Sequence, residues 1–185
     1  EESMKRLSWK YIAGLMDGEG TIDFQKNYRH NRDNVPYLNI RVRITLTEKS
    51  AFVLESLNAS FGGFLEYRDK AKIYKDHQNW QPAVTWNLTG SRAYGLLQNI
   101  KNHLLIKKNQ AEFAMKYYLF EPDKAIQGKH IIEERDKILK FRLDIYNELK
   151  AMKQDPHRLS EPTEIFNKVS DAIVEATEKS YGSVG

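Results

Sequence analysis

The chain has 185 residues, 41% hydrophobic and 29% charged, which suits one well-buried domain and would leave a second complete domain cramped. No apolar run approaches a membrane span, and the lack of cysteine excludes disulfides and thiolate metal sites while fitting a reducing interior. The net charge of +4 is unevenly spread: residues 21 to 120 hold 15 Lys/Arg against 8 Asp/Glu, a local +7, and the other 85 residues hold 14 against 17, a local −3, so the middle of the chain is the expected polyanion face.

Residues 11 to 20 read Y-I-A-G-L-M-D-G-E-G, a helix that ends by placing Asp17 and Glu19 among Gly14, Gly18 and Gly20. The small residues Ala13, Gly14 and Gly18 leave one helical face nearly without side chains, where another backbone could pack closely. The glycines are expected to stop the helix abruptly. A carboxylate at that stop meets the negative end of the helix macrodipole, which is unfavourable unless positive charge comes from outside; a hard divalent cation meets that demand. The same letters also fit an amphipathic helix with a glycine cap. The run from Ile12 to Gly20 resembles the signature L-A-G-L-I-D-A-D-G of the LAGLIDADG homing endonucleases, with Ile12 for Leu, Met16 for Ile and Glu19 for the second Asp.

After Gly20 the periodicity turns from helical to alternating. Residues 21 to 27 place Ile22 and Phe24 inward and Thr21, Asp23, Gln25 and Asn27 outward; residues 38 to 46 alternate Leu38, Ile40, Val42, Ile44 and Leu46 with Asn39, Arg41, Arg43 and Thr45. The segment from Tyr28 to Pro36 joins them as a long hairpin. A helix capped by Thr47 or Ser50 runs to about Ser60 and stops at Gly62-Gly63. Strands follow at 64 to 70 and 83 to 89, with Glu66, Arg68 and Lys70, then Thr85, Asn87 and Thr89, on the polar face, and Leu65, Tyr67, Val84, Trp86 and Leu88 toward the core. Ser91 caps the next helix, another covers 108 to 119, a long charged one covers 130 to 153, and a short amphipathic one covers 164 to 178 before a frayed tail.

The order helix, strand, strand, helix, strand, strand, helix predicts an α+β fold: an antiparallel sheet with its polar face open and helices on the other face. Residues 1 to 120 form the expected core and residues 121 to 185 a helical extension of the same domain. In the family that this chain resembles over about residues 8 to 120, such a sheet is a saddle over DNA whose outward residues read bases in the major groove.

The outward residues Gln25, Asn27, Asn39, Arg41, Arg43, Thr45, Arg68, Lys70, Thr85 and Asn87 are rich in the side chains that pair directionally with base edges, where a generic surface would hold more Lys and Glu. Alternation spaces them ~6.6 Å apart along a strand, so consecutive side chains can reach successive base pairs. Asp23 and Glu66 share that face. The segments 28 to 36 and 71 to 82, with Arg29, His30, Arg32, Lys72 and Lys75, would contact phosphates.

The resemblance also implies a cleavage site. Glu19 falls on the family's second acidic position, which binds the catalytic metal, so Mg²⁺ or another divalent cation is the implied cofactor. Asp17 is expected to brace the helix pair, a metal role remaining the alternative. The segment L-L-I-K-K-N-Q-A, residues 104 to 111, resembles the region carrying a catalytic-site lysine; Lys107 is the candidate to stabilise developing phosphorane charge, with Lys108 beside it. Glu48 stands where similar members carry a water-positioning glutamine, and it serves equally as a first-turn acid favoured by a helix dipole.

The signature occurs once, and single-motif members of the family act as homodimers. Packing Ala13, Gly14, Asp17 and Gly18 on a symmetry mate would bring two Glu19 carboxylates together, one per DNA strand, on a partly palindromic target. The expected function is a site-specific double-strand DNA endonuclease. A nucleic-acid-binding protein without cleavage, an intron RNA maturase or a transcription regulator, is the alternative. The five histidines lack ligand spacing, no nucleotide-binding glycine loop is present, and neither a nucleotide cofactor nor a membrane partner is expected. An intracellular location is expected, with an organelle, mitochondrion or chloroplast, compatible but not shown by the sequence; since the chain opens on Glu rather than Met, a lost targeting segment stays open.

Overall fold

Ser8 starts the first helix, α1 (Trp9–Glu19): its hydroxyl oxygen accepts the Tyr11 N–H at 3.2 Å, which satisfies one of the orphan donors of the first turn. The computed structural model describes residues 7–28, 36–68, 82–120 and 135–155. Ile12, Ala13 and Met16 are fully buried on one side of α1, while Tyr11, Gly14 and Gly18 are exposed on the other. The helix passes without a loop into strand β1 (Gly20–Asn27). The helix stops at Glu19 as expected, with Gly20 extended at φ −83° rather than left-handed. Gly20 is required for space instead: a Cβ there would collide with the side chain and backbone of Met16.

β1 pairs antiparallel with β2 (Tyr37–Thr47), which pairs with β4 (Ala83–Thr89), which pairs with β3 (Phe64–Arg68), giving the sheet order β1-β2-β4-β3. A short 3₁₀ turn (Glu48–Ser50) leads from β2 to helix α2 (Ala51–Phe61). Neither Thr47 nor Ser50 makes the expected side-chain cap, because that tight turn occupies the junction. Gly62 and Gly63 have φ of 74° and 98°, and a Cβ on Gly63 would strike the Asn87 carbonyl of β4. This close approach lets Trp86 Nε1 donate to the Gly62 carbonyl at 2.9 Å, so the indole is both wholly buried and satisfied.

Helix α3 (Gly90–Ile100) begins at a glycine of positive φ, one residue before the expected Ser91 cap. A 3₁₀ turn (Lys101–His103) and residues 104–107 lead to α4 (Lys108–Phe120); α5 (Arg135–Gln154) follows. The helices cover the apolar face of the sheet. Ile22, Phe24, Ile40, Val42, Ile44, Val84, Trp86 and Leu88 pack there with Leu54 and Leu57 of α2, Leu97 and Ile100 of α3, and Tyr117 of α4. Phe141, Ile145, Leu149 and Met152 of α5 join the same cluster, which also holds Ile12, Ala13 and Met16. Among the described residues no helix is long and apolar enough to cross a membrane.

α5 runs beside edge strand β1 and is tied down at its middle and its C-terminal end. Arg142 Nη1 donates to the Pro36 carbonyl at 3.1 Å, Gln110 Nε2 of α4 donates to the Met152 carbonyl at 3.3 Å, and the Lys26 ammonium lies 4.0 Å from the centre of the Tyr146 ring. The other edge is less covered. Tyr67 was expected toward the core; its hydroxyl donates to Glu55 of α2 at 3.3 Å, but on the edge strand β3 it stays 57% exposed among the described residues. The expected helix at 164–178, and the first residues of the one expected from 130, lie outside the described residues.

Candidate active site and nucleic-acid interface

The carboxylate of Asp17 is spent within its own chain. Oδ2 accepts the Leu105 N–H at 2.7 Å and Oδ1 accepts the Lys107 N–H at 2.9 Å, while Lys107 Nζ donates to the Asp17 carbonyl oxygen. A carboxylate at the C-terminal end of a helix is ordinarily unfavourable, and here two amide dipoles and an ammonium compensate it. The outcome is positional. Asp17 clamps the segment before α4 onto the end of α1 and thereby seats Lys107 there.

Glu19, one turn-step further, is exposed. Its charge reaches Lys107: burial pushes the Lys107 ammonium below its ordinary pKa, and the negative charges of Asp17 and Glu19 pull the other way without prevailing. Sequence reasoning gave Glu19 and Lys107 to the cleavage site and a bracing role to Asp17; Asp17 touches Lys107 directly, and Glu19 lies near enough for its charge to be felt there. Lys108 is exposed on the first turn of α4. Glu48 stands apart. It is exposed at the head of the 3₁₀ turn, where its backbone N–H donates to the Pro82 carbonyl at 3.0 Å. Partial desolvation, then the charges of Glu55 and Glu48, push the Tyr67 hydroxyl up, so Glu48 belongs electrostatically to the β3 edge.

Among the described residues no three His, Cys, Asp or Glu side chains converge on a metal position. With Asp17 occupied by amides, the described residues of a single chain offer the Glu19 carboxylate alone there. That donor set fits Mg²⁺, which takes one or two carboxylates and fills its remaining positions with water and phosphate oxygens.

Ala13 corrects the expectation for the glycine face. It has no exposed surface and packs with Ile12 and Met16 in the chain's own core, since a step of about 100° per residue turns it away from Gly14 and Gly18. Gly14 and Gly18 stand open: a Cβ on either would meet nothing within 4 Å.

The strand register aligns the polar side chains in rows across the sheet. Asp23 lies opposite Arg41, which lies opposite Thr89; Thr21, Arg43, Asn87 and Phe64 form the next row; Thr45, Thr85 and Glu66 the one after. Gln25 lies opposite Asn39. Gln25, Asn27, Asn39, Arg41, Arg43 and Thr45 are half-buried, and Glu66 and Arg68 exposed. Thr85 and Asn87, expected on an open face, are 2% and 4% exposed. They sit on the inner strand β4, where Thr85 Oγ1 shares a 2.9 Å hydrogen bond with Thr45 Oγ1 and Asn87 Nδ2 donates to the Thr85 carbonyl at 3.4 Å. Lys70 and the segments 29–35 and 69–81 lie outside the described residues.

The charged centre of this face is Asp23, only 9% exposed. Oδ1 accepts Arg41 Nε at 2.8 Å; Oδ2 accepts Arg41 Nη2 at 3.1 Å and Arg43 Nη2 at 2.7 Å; and Lys153 Nζ of α5 approaches Oδ2 at 3.9 Å. Burial alone would raise the Asp23 carboxyl, but the Arg41 hydrogen bond and the charges of Arg41, Arg43 and Lys153 outweigh it and hold it below the usual value. Two members of the face escaped sequence reasoning. Phe64, 56% exposed, keeps the alternation of Glu66 and Arg68 and could have been found by extending it; Lys153 joins through tertiary packing and left no local signal.

The sequence profile described as LAGLIDADG endonuclease matches residues 12–121. No curated protein sequence matches the chain. Among solved structures, the homing endonuclease I-CvuI in complex with its target is 13% identical, with a TM-score of 0.59 over 88% of this chain and 92% of that one. The archaeal intron-encoded homing endonuclease I-Vdi141I complexed with DNA is 14% identical, with a TM-score of 0.56 over 88% and 94%. The meganuclease I-SmaMI bound to uncleavable DNA is 17% identical, with a TM-score of 0.53 over 78% of this chain but only 44% of its own longer chain. At these identities the likeness is one of fold.

Proposed function

The chain belongs to the LAGLIDADG endonuclease family, and from this premise we propose that it is a Mg²⁺-dependent, site-specific endonuclease that cuts both strands of duplex DNA as a homodimer. The observation that carries the reading is the seating of Lys107 by Asp17 at the end of α1, two residues before Glu19, beside a sheet face lined with Arg, Asn, Gln and Thr. A divalent cation held there would supply Lewis-acid stabilisation of a phosphodiester and make a nearby water more acidic. Glu19 would hold it. Lys107, fixed by the Asp17 carbonyl, presents positive charge where the scissile phosphate gains negative charge, and needs no reorganisation to do so. Arg41, Arg43, Asn39 and Gln25 face the groove.

The dimer rests on the open side of α1. Gly14 and Gly18 admit a second backbone, Tyr11 is 48% exposed beside them, and Leu105 and Ile106, 90% and 53% exposed, lie against the end of the helix where Asp17 binds the Leu105 amide. Packing that face on its twofold mate hides this apolar surface and sets two Glu19 side chains near the axis. Gly14→Leu should therefore convert the protein to a monomer by mass in solution and abolish double-strand cutting.

The deciding experiment uses a plasmid library carrying randomised inserts. With Mg²⁺ the wild-type chain should linearise a defined subset, and Glu19→Gln should bind the same inserts without cutting them. If every insert survives the wild-type protein while some are bound, the protein is a nucleic-acid-binding member of the family without nuclease activity.

A further inference from the structure

Asp23 is a buried acid at the centre of a surface read here as fitting a polyanion, and the proposed cleavage reaction gives it no task. Three hydrogen bonds from two arginines and the approach of Lys153 leave its oxygens little capacity to accept a hydrogen bond from a base. The arginines, by contrast, keep donors in reserve. Arg41 spends its Nε–Nη2 edge on Asp23, so Nη1 and the outer hydrogens remain; among the described residues Arg43 is held through Nη2 alone, which leaves Nη1, while its Nε is buried out of reach of a base.

The register explains how one carboxylate serves both. Asp23 lies directly opposite Arg41 and diagonally from Arg43, alternate residues of β2 pointing to the same face. Unrestrained arginines could each sweep over several base pairs, which stack ~3.4 Å apart. A shared anchor removes that freedom before DNA arrives, so less rotamer entropy is lost on binding. The anchor is itself braced. Lys153 comes from α5, which the Arg142–Pro36 and Gln110–Met152 hydrogen bonds hold to the start of β2 and to α4.

We propose that Asp23 is a positioning residue that fixes the directions in which Arg41 and Arg43 present their outer N–H edges to guanines in the major groove, with Lys153 bracing the carboxylate from the C-terminal helix. The proposal rests on the reading of this face as the DNA-reading surface. It assigns α5 a part in specificity without a base contact of its own.

The test is selection of bound sequences from a randomised duplex-DNA pool by the full chain, in wild-type, Asp23→Asn, Arg41→Ala and Arg43→Ala forms, with thermal unfolding recorded for each. Arg41→Ala and Arg43→Ala should each flatten base preference at one position per half-site. Asp23→Asn should flatten both, by about tenfold each, and should add nothing at the Arg41 position once Arg41 is already alanine. A purely structural role would weaken binding evenly with preferences intact, and a direct base contact would flatten a third position; either result overturns the proposal. Asp23→Glu keeps the charge and moves the carboxylate by one methylene, so it tests the same point even where Asp23→Asn fails to fold. It should blur the same two positions, and unchanged preferences there overturn the proposal. A wild-type chain that enriches no sequence overturns the DNA-reading assignment itself, and this inference with it.

Discussion

Asp17 and Asp23 are near neighbours in the sequence, and both hold their negative charge against donors of the same chain, yet they are held in different ways. Asp17 is gripped by the backbone amides of Leu105 and Lys107, groups that cannot move without moving the chain. Asp23 is gripped by the side chains of Arg41, Arg43 and Lys153, whose outer sides water still reaches. The end of α1 is thus a fixture built of backbone and the centre of the sheet face one built of side chains. A cleavage site needs its groups held in place before the substrate arrives, while a reading surface needs its donors aimed but still open on their outer edges.

This contrast can be broken or sharpened by substitution. The largest effect is expected at the fixture: Glu19→Gln should lower the cleavage rate by roughly 10³-fold with little change in DNA binding, measured in single-turnover assays. Asp17→Ala should cost about 3 kcal/mol in denaturant unfolding, because two amides lose their acceptor and Lys107 loses its seat, and cutting should fall with it. Asp23→Ala should cost clearly less, since its arginines are 25% and 34% exposed and can be hydrated. If the two losses are equal, the distinction between an acid held by backbone and one held by hydrated side chains fails.

Lys107→Met separates stability from chemistry. The folded-state pKa of Lys107 lies below its unfolded value, so the unfolded chain binds protons more readily and stability rises as pH climbs from the folded value toward 10.5. At neutral pH the ammonium therefore costs stability. Lys107→Met should leave the unfolding temperature unchanged or slightly higher while lowering cleavage by about 10²-fold. Asp23 gives the smallest signal and the opposite sign. Its folded pKa lies below 3.8, so its contribution is complete above that pH and is lost as pH falls below 3.8 through the depressed value. Asp23→Asn should shrink the acid-side loss of stability in a pH series of thermal melts.

Much of the fold was legible because its signals are local. Alternation over 38 to 46 gave β2, the run from Tyr11 to Gly20 gave the end of α1, and the 83 to 89 strand matches β4 residue for residue. What sequence reasoning missed depends on packing between distant segments. Ala13 reads as part of a smooth face until the sheet beneath α1 claims it. Thr85 and Asn87 alternate correctly, but only the inner position of β4 shows that they lie beneath longer neighbours. Lys153 meets Asp23 because α5 folds back along β1, and nothing in the periodicity of either segment announces it.

The bonds from Asp17 to Leu105 and Lys107 span 88 and 90 residues of chain. Contacts of such separation pay a loop-closure entropy that local contacts do not. Lys107 comes to the end of α1 only when the sheet and helices between them have closed. A nascent or partly unfolded chain therefore carries the acid without its lysine, and on the proposed function its competence to cut would wait for that closure.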